Sequence, residues 1–326
     1  MDSTTGGAVP FWRKDGARYY PQSAYFRREF GEPIRKISID AHFSCPNVDG
    51  TVGRGGCAFC DVASFSPSRR LGLSDINAQI DEGVLQLQRR FKVKKFIAYF
   101  QPSTNTHAPV ETLRRVYETA LARPEVVGLA VGTRPDAVPN ETLDLLAEIA
   151  REKWVVVEFG LQSTKDATLR WLGRGHDYAA FVDATVRAKE RGLRVGAHLI
   201  LGLPNETRDD LLLTARRVAS FGLHSVKLHH LYVARNTRLA AMWRAGDVPL
   251  PTLEEYARMV VDFLEILDPN VVVERVAGET SAEYLLAPEW TGIKHAGRNA
   301  VEKEFRARDS YQGQSFDPTW TDRNLS

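Results

Sequence analysis

The chain has 326 residues, 43% of them apolar and 26% charged, ordinary values for a globular protein. Its 43 Lys and Arg against 41 Asp and Glu leave a net charge of only +2, without the strong basic bias of a dedicated nucleic-acid binder, so RNA as a substrate is neither excluded nor indicated. No run approaches the roughly 20 apolar residues that span a bilayer, and the N-terminus lacks the apolar stretch of a secretory signal; no membrane is expected.

The first thirty residues are aromatic and basic without clear periodicity, and read as a separate N-terminal segment, 1–30. Beyond them, short β-branched runs alternate with helical patterns. Strands are expected at Ile37–Asp40, Phe96–Phe100, Val126–Gly132, Trp154–Phe159, Val195–Leu201 and Ser225–Tyr232. Each interval holds one helix and two loops, the rhythm of parallel βα units. Ser74 is placed to cap a helix running to about Phe91, and the stripe Leu143, Leu146, Ile149 marks another after Asn140. Ser163-x-x-Asp166 and Thr252-x-x-Glu255 have the form of capping boxes. Gly192 and Gly222 stand where helices should stop.

Six such units are too few for an eight-stranded barrel. They suit an α/β fold of open form, a partial (β/α)6 TIM-type barrel over 31–245, with chemistry at the C-terminal strand ends. From about residue 250 the rhythm changes. A helix, a strand Val271–Arg275 and a helix near Lys294–Arg308 read as a small α+β C-terminal extension, 246–326.

The only three cysteines lie within sixteen residues, as Cys45-x11-Cys57-x2-Cys60 directly after the first strand. An odd, clustered set argues for a metal site in a reducing cytoplasm rather than a disulfide framework. Three thiolates would leave one iron of a four-iron cluster open for a substrate or cofactor. Gly50, Gly53, Gly55 and Gly56 let the loop wrap closely around a bulky group. The same residues with His42 would also make a structural Cys3His zinc site, and so a zinc-stabilised, non-catalytic binding module.

The segment IDAHFSCPNVDGTVGRGGCAFCDVASF resembles the cluster loop of the YhcC-like subfamily of radical S-adenosylmethionine (SAM) proteins, relatives of the catalytic subunit of Elongator. Further matches follow in order: Tyr99-Phe100-Gln101, Val131-Gly132-Thr133-Arg134-Pro135-Asp136, Glu158-Phe159-Gly160-Leu161-Gln162-Ser163, Arg174-Gly175-His176-Asp177, His198 to Pro204, Lys227 to Leu231, and Leu285 to Pro288. The resemblance covers Tyr20 to Gly313. His42 and Val48 depart from it, standing where the subfamily usually has Gly and Arg.

The resemblance implies a radical SAM enzyme. A [4Fe–4S] cluster on Cys45, Cys57 and Cys60 would reductively cleave SAM to a 5′-deoxyadenosyl radical, which abstracts hydrogen from a substrate left unnamed, a small metabolite or tRNA. It also implies a one-electron donor such as a flavodoxin or ferredoxin. Phe59 resembles the adenine contact, and Tyr99 and Gln101 stand where the family binds the SAM amino group. Glu158, Gln162, Arg174 and His198 form a further cofactor-binding set. Gln162 and Arg174 resemble residues that hold the SAM ribose and carboxylate in oxygen-independent coproporphyrinogen oxidases, and His198 has the position of a ribose contact. Alternation sends Lys227 and His229 to one face of the sixth strand and His230 to the other, as candidates for substrate contact. The basic run Arg89 to Lys95 is explained by the dipole of the helix it ends.

Overall fold

Strands in this chain carry apolar residues on one face and a mixed set of apolar, small and charged residues on the other, and the computed structural model, which describes residues 10–322, shows what that alternation builds. Strands β1 (Ile34–Ile39), β2 (Lys95–Phe100), β3 (Val126–Thr133), β4 (Trp154–Gln162), β5 (Arg194–Leu201) and β6 (Ser225–His230) lie side by side in chain order. The short β7 (Val233–Ala234) leaves this sheet and pairs antiparallel with β9 (Leu285–Ala287). Between them in sequence, β8 (Val272–Arg275) returns to pair parallel with β6. The main sheet is thus seven-stranded and all parallel, curled into a half-barrel with β1 and β8 at its edges.

Helix α1 (Gln22–Phe30) packs at the lower end, and the short α2 (Pro46–Asp49), α3 (Val62–Phe65) and α4 (Pro67–Arg70) lie in the loop after β1. Helices α5 (Ile76–Phe91), α6 (Val110–Leu121) and α7 (Asn140–Ile149) cover the outside with α9 (Tyr178–Glu190), α10 (Arg208–Ser220), α12 (Leu253–Ile266) and α13 (Ala296–Arg308), and α8 (Asp166–Leu172) and α11 (Arg238–Arg244) flank the Cys57–Cys60 turn. The main core lies between sheet and helices. On β4, Val155, Val157, Phe159 and Leu161 point into it, and on β5, Val195, Ala197, Leu199 and Leu201 do. The inner face of the barrel receives the alternate residues. Its lower part is apolar: Ile34, Ile97, Ala130, Trp154 and Val156 pack against Phe26 of α1. Glu158, His198 and Lys227 occupy the same inner register higher up.

The aromatic N-terminal segment has a structural use. Tyr25, Phe26 and Phe30 pack around Trp154, and Trp12 is buried with its indole N–H donating to the Pro269 carbonyl. These residues pack against the β8 side of the sheet, where Pro21 bridges to Val273. No helix among the described residues is long and apolar enough to cross a membrane.

Several local expectations shift. The strand near Val271–Arg275, expected in the extension, is the seventh strand of the barrel; sequence rhythm does not record a strand's partner when β7, α11 and α12 intervene. The helix before β2 is capped by Asp75 rather than Ser74, its carboxylate accepting the Ala78 N–H. Ser163 makes no capping box, because its hydroxyl donates to Glu206 while Asp166 accepts the Tyr178 N–H. Thr252 and Glu255 do form the full reciprocal box. Gly192 and Gly222 follow helix ends with φ of 72° and 55°.

Candidate active site

The loop after β1 is shaped by turns that need glycine. Gly50, Gly55 and Gly56 hold φ of 96°, 82° and 73°. A Cβ on Gly53 would stand 2.6 Å from Asn47 Oδ1. The Cys45 carbonyl accepts the N–H groups of Val48 and Asp49. Ala58 is pinned on both sides, donating to the Leu172 carbonyl and accepting from Leu239 N, each at 2.8 Å. The turn from Cys57 to Cys60 is thereby fixed between α8 and α11. His42 has φ of 57°, the left-handed region that glycine tolerates best.

All three cysteines are free thiols, Cys57 buried and Cys60 exposed. Cys57 Sγ receives two N–H donors, Arg174 Nη1 at 3.2 Å and Asn47 Nδ2 at 3.4 Å. Burial opposes ionisation of Cys57, but Arg174, Asn47 and Arg134 outweigh it and lower the thiol's pKa. Cys60 keeps a face open to solvent, yet crowding of its sulfur, with Cys57 and Cys45 nearby, pushes its thiol up to about 12. Arg134 is buried, clamps Asp136 with Nε and Nη2, and leaves a buried Nη1 without a partner.

Arg174 is buried, not a surface helix-end arginine. Besides Cys57 it donates from Nη2 to the Gly160 carbonyl at 2.7 Å and from Nε to His176 Nε2 at 3.2 Å. Gly160 is where Gln162 and Arg174 converge: a Cβ there would lie 2.9 Å from Gln162 Nε2 and 3.1 Å from Arg174 Nη2. The β4–β5 register shifts between Phe159 and Gln162, and Gln162 has φ of 71°. This irregularity re-aims Gln162 at the strand end. Phe59 packs partly buried against the cluster of Leu172, Leu231 and Leu239.

Glu158 and Tyr99 lie inside the barrel. Glu158 Oε1 takes Lys36 Nζ at 2.5 Å, and Oε2 takes His198 Nε2 at 2.5 Å and Lys227 Nζ at 3.5 Å. Burial opposes the charge on Glu158, but Lys36 and Lys227 hold its carboxyl well below the usual range. His198 is pushed down by burial and by Lys227, against the pull of Glu158, so its contact with Glu158 is a hydrogen bond from a neutral imidazole. Lys227 is lowered to about 8 by burial, against the opposing pull of Glu158 and Glu274, and donates to Tyr99 Oη at 2.6 Å. Gln101 accepts a long bond from Ser38 Oγ, 3.4 Å. His229 faces inward with Lys227, and His230 faces outward, bonded to Thr291 and packed on Trp290.

The expected residues thus fall into two groups. Arg174 meets Cys57 at the C-terminal mouth, with Gln162 beside it at Gly160, while Glu158, His198 and Tyr99 belong to the network within. Sequence reasoning assigned no role to Arg134, Asn47, Lys36 or Glu274. Arg134 sits in the quoted run after β3, and an arginine ending an apolar strand was the available signal. Lys36 and Glu274 carried a fainter one, charges inside β-branched runs.

Among the described residues, no group of three or more His, Cys, Asp or Glu side chains could hold a single metal ion. His42, the fourth ligand of the zinc reading, turns towards Asp40 and the Leu73 carbonyl. A four-iron cluster sets a different condition, because each thiolate binds its own iron. The site fits such a group: a thiol with two N–H donors, and buried Arg134 and Arg174 to offset thiolate charge.

A curled parallel half-barrel carrying a three-cysteine loop after its first strand defines a class, and the family comparison agrees. The radical SAM superfamily model matches residues 50–218 and the Radical_SAM C-terminal domain 223–307, and the chain belongs to this superfamily, whose cofactors are a [4Fe–4S] cluster and SAM. It is 36% identical to the uncharacterized protein YtqA of Bacillus subtilis, over 92% of this chain and 93% of that one. It is 37% identical to protein YhcC of Escherichia coli K12, over 90% of this chain and 94% of that one. Among solved structures, Elp3 of the archaeon Methanocaldococcus infernus superposes with a TM-score of 0.66 at 17% identity, over 86% of this chain and 64% of that one, a likeness of fold.

Proposed function

We propose that this chain is a radical SAM enzyme acting in the reducing cytoplasm, with Cys45, Cys57 and Cys60 as ligands of one [4Fe–4S] cluster. The bound cluster and SAM would supply reductive cleavage of the sulfonium to a 5′-deoxyadenosyl radical and so hydrogen abstraction from substrate. The observation that carries this reading is Cys57 Sγ with its two N–H donors, Arg174 and Asn47, at the C-terminal mouth of the half-barrel.

The residues of the chain divide the remaining work. Arg174 holds Cys57 with one nitrogen and has further N–H groups for the SAM carboxylate, for which its planar fork is suited. Gln162, turned by the β4 irregularity, and His198 are placed for the ribose, and Phe59 for the adenine. Glu158 fixes the His198 ring by accepting its Nε2–H, so it acts through that residue. Tyr99 and Gln101 remain assigned to the amino group, with the Tyr99 hydroxyl held by Lys227. The alternate inner residues Gly132, Gly160 and Gly196 admit close neighbours, since a Cβ there would stand 3.1 Å from the Phe100 carbonyl, 2.9 Å from Gln162 Nε2 and 2.7 Å from Ser225 Oγ. A flavodoxin or ferredoxin would deliver the electron.

The test is anaerobic reconstitution with iron and sulfide, then dithionite and SAM. Formation of 5′-deoxyadenosine supports the proposal; none from fully iron-loaded protein contradicts it.

A further inference from the structure

The inner face of the half-barrel holds more cations than its carboxylates can pair. Lys36, Lys227 and Arg275 face only Glu158 and Glu274 in the interior network. Glu158 is occupied by Lys36, Lys227 and His198. Glu274 accepts from Lys36 at 2.5 Å and from Ser225 Oγ at 2.7 Å. Arg275 has no carboxylate partner among the described residues. Its Nη2 abuts the His229 imidazole, of whose two nitrogens only the unprotonated one can accept, and its Nε is buried without a hydrogen-bond partner. His229 cannot neutralise it: burial, then Arg275, His198 and Lys227, keep the imidazole uncharged. The buried Nε lacks an acceptor and the guanidinium lacks a counter-ion, and an anion in the adjoining cavity would supply both.

The surroundings say where such an anion would come from. Arg275 lines a cavity of about 330 Å³ beside β1 and β8, the two edges of the sheet. Arg35 lines the same cavity, and its Nε is a second buried guanidinium nitrogen without a partner. Of the other charged groups there, Glu279 has His295 at 3.6 Å and Arg298 has Glu302 at 3.8 Å. At the inner end, a Cβ on Gly278 would stand 3.4 Å from His229 Nδ1 and 3.7 Å from the Tyr232 ring. Thr280 Oγ1, two residues on, donates to the Ser64 carbonyl at 3.1 Å, which ties this wall to the cysteine loop. Arg275 ends β8 at an edge of the sheet, whereas Gln162 ends the central strand β4.

We propose that Arg275 anchors an oxyanion of the substrate, a carboxylate or phosphate, bound in the cavity beside β1 and β8. This rests on the radical SAM reading above and adds to it the substrate's chemical class. A fork of N–H donors matches either oxyanion bidentately, and the surplus charge draws anions into the cavity.

The first test needs neither substrate nor variant. The full-length protein is treated with phenylglyoxal, and modification of the Arg275 peptide is followed by mass spectrometry. Inorganic phosphate or acetate should slow it several-fold against chloride of equal ionic strength, and the better protector names the group. Equal rates in all three salts overturn the proposal. Full protection by SAM alone also overturns it, since Arg275 would then hold the cofactor.

The second test uses the reconstituted enzyme with SAM, dithionite and a metabolite extract split on an anion exchanger. The retained fraction should raise 5′-deoxyadenosine above the rate with SAM alone. Arg275→Gln should need on the order of tenfold more of it, as for one lost charge-assisted contact, and Arg275→Lys should recover part. Stimulation by the unretained fraction overturns the oxyanion assignment while leaving the radical SAM reading intact. No 5′-deoxyadenosine from wild type under any condition removes that reading instead.

Discussion

Arg174 carries two of the proposed roles at once. Its Nη1 bond to Cys57 favours the thiolate, and the N–H groups left after those to Gly160 and His176 are the ones assigned to SAM. Arg174→Ala should therefore keep the iron, since no ligand is removed, and should still change the cluster. Losing an N–H bond to a ligand sulfur makes reduction harder, so the potential should fall. SAM affinity should weaken as well, by about 1.5–3 kcal/mol, or roughly tenfold to a hundredfold. Arg174→Lys should recover only part, because a point charge cannot make the fork. Redox titration and SAM titration of the reconstituted variant check both; an unchanged potential with unchanged affinity removes Arg174 from the site. His224 supplies a pH-dependent test away from the cysteines. Its ring is packed edge-on to Tyr25 at 4.7 Å, and burial lowers its pKa from 6.5 to about 4, with Glu274 and Glu158 pulling up and Arg194 and Lys36 pushing down. The unfolded chain takes up a proton there below 6.5 that the folded chain refuses until about 4. Stability should accordingly decline between pH 6.5 and 4 and be insensitive to this group above 6.5. His224→Phe should flatten that part of the profile in thermal unfolding; an identical slope in both proteins refutes the assignment.

At the scale of elements, strand packing fixes several glycines that a motif search passes over. A Cβ on Gly128 would stand 2.1 Å from the Trp154 carbonyl oxygen, where β3 and β4 run side by side. The obstacle is backbone, so it cannot swing away. Gly128→Ala should cost about 1–3 kcal/mol or more as overpacking, read as a lower unfolding midpoint in urea; a wild-type midpoint would show that the strands separate easily. The same elements show what the sequence could carry. β2 to β6 were legible because their apolar runs are short, β-branched and evenly spaced. Thr252 with Glu255 was legible because a capping box is wholly local. β8 was misplaced because its partner β6 lies some forty residues away, and nothing in Val272–Arg275 names it. Ser163 was misread because Glu206, its actual partner, comes from a distant turn. For the site, the spacing of Cys45, Cys57 and Cys60 was visible in the chain. The meeting of Arg174 with Cys57 and Gly160 was not, since it depends on how the end of α8 folds back over the mouth.

For the molecule as a whole, an open barrel must place charge in its interior and still close its base. Lys36 and Glu274 reach across the gap between the edge strands, and the aromatic N-terminal segment packs over the lower end. The cysteine loop stays reachable, with Cys60 exposed, and what admits SAM admits small oxidants. Air should therefore bleach the reconstituted protein, with iron and 5′-deoxyadenosine production lost together; unchanged values after prolonged exposure would contradict an open cluster. Everything proposed here depends on three thiolates holding a four-iron cluster that cleaves SAM. This is tested most directly on protein purified and reconstituted without oxygen, by measuring iron, zinc and 5′-deoxyadenosine on the same sample after dithionite and SAM. The account predicts about four irons per chain with 5′-deoxyadenosine formed, and loss of both in Cys57→Ala, because no spare cysteine exists to replace it. One zinc per chain and no 5′-deoxyadenosine would contradict it.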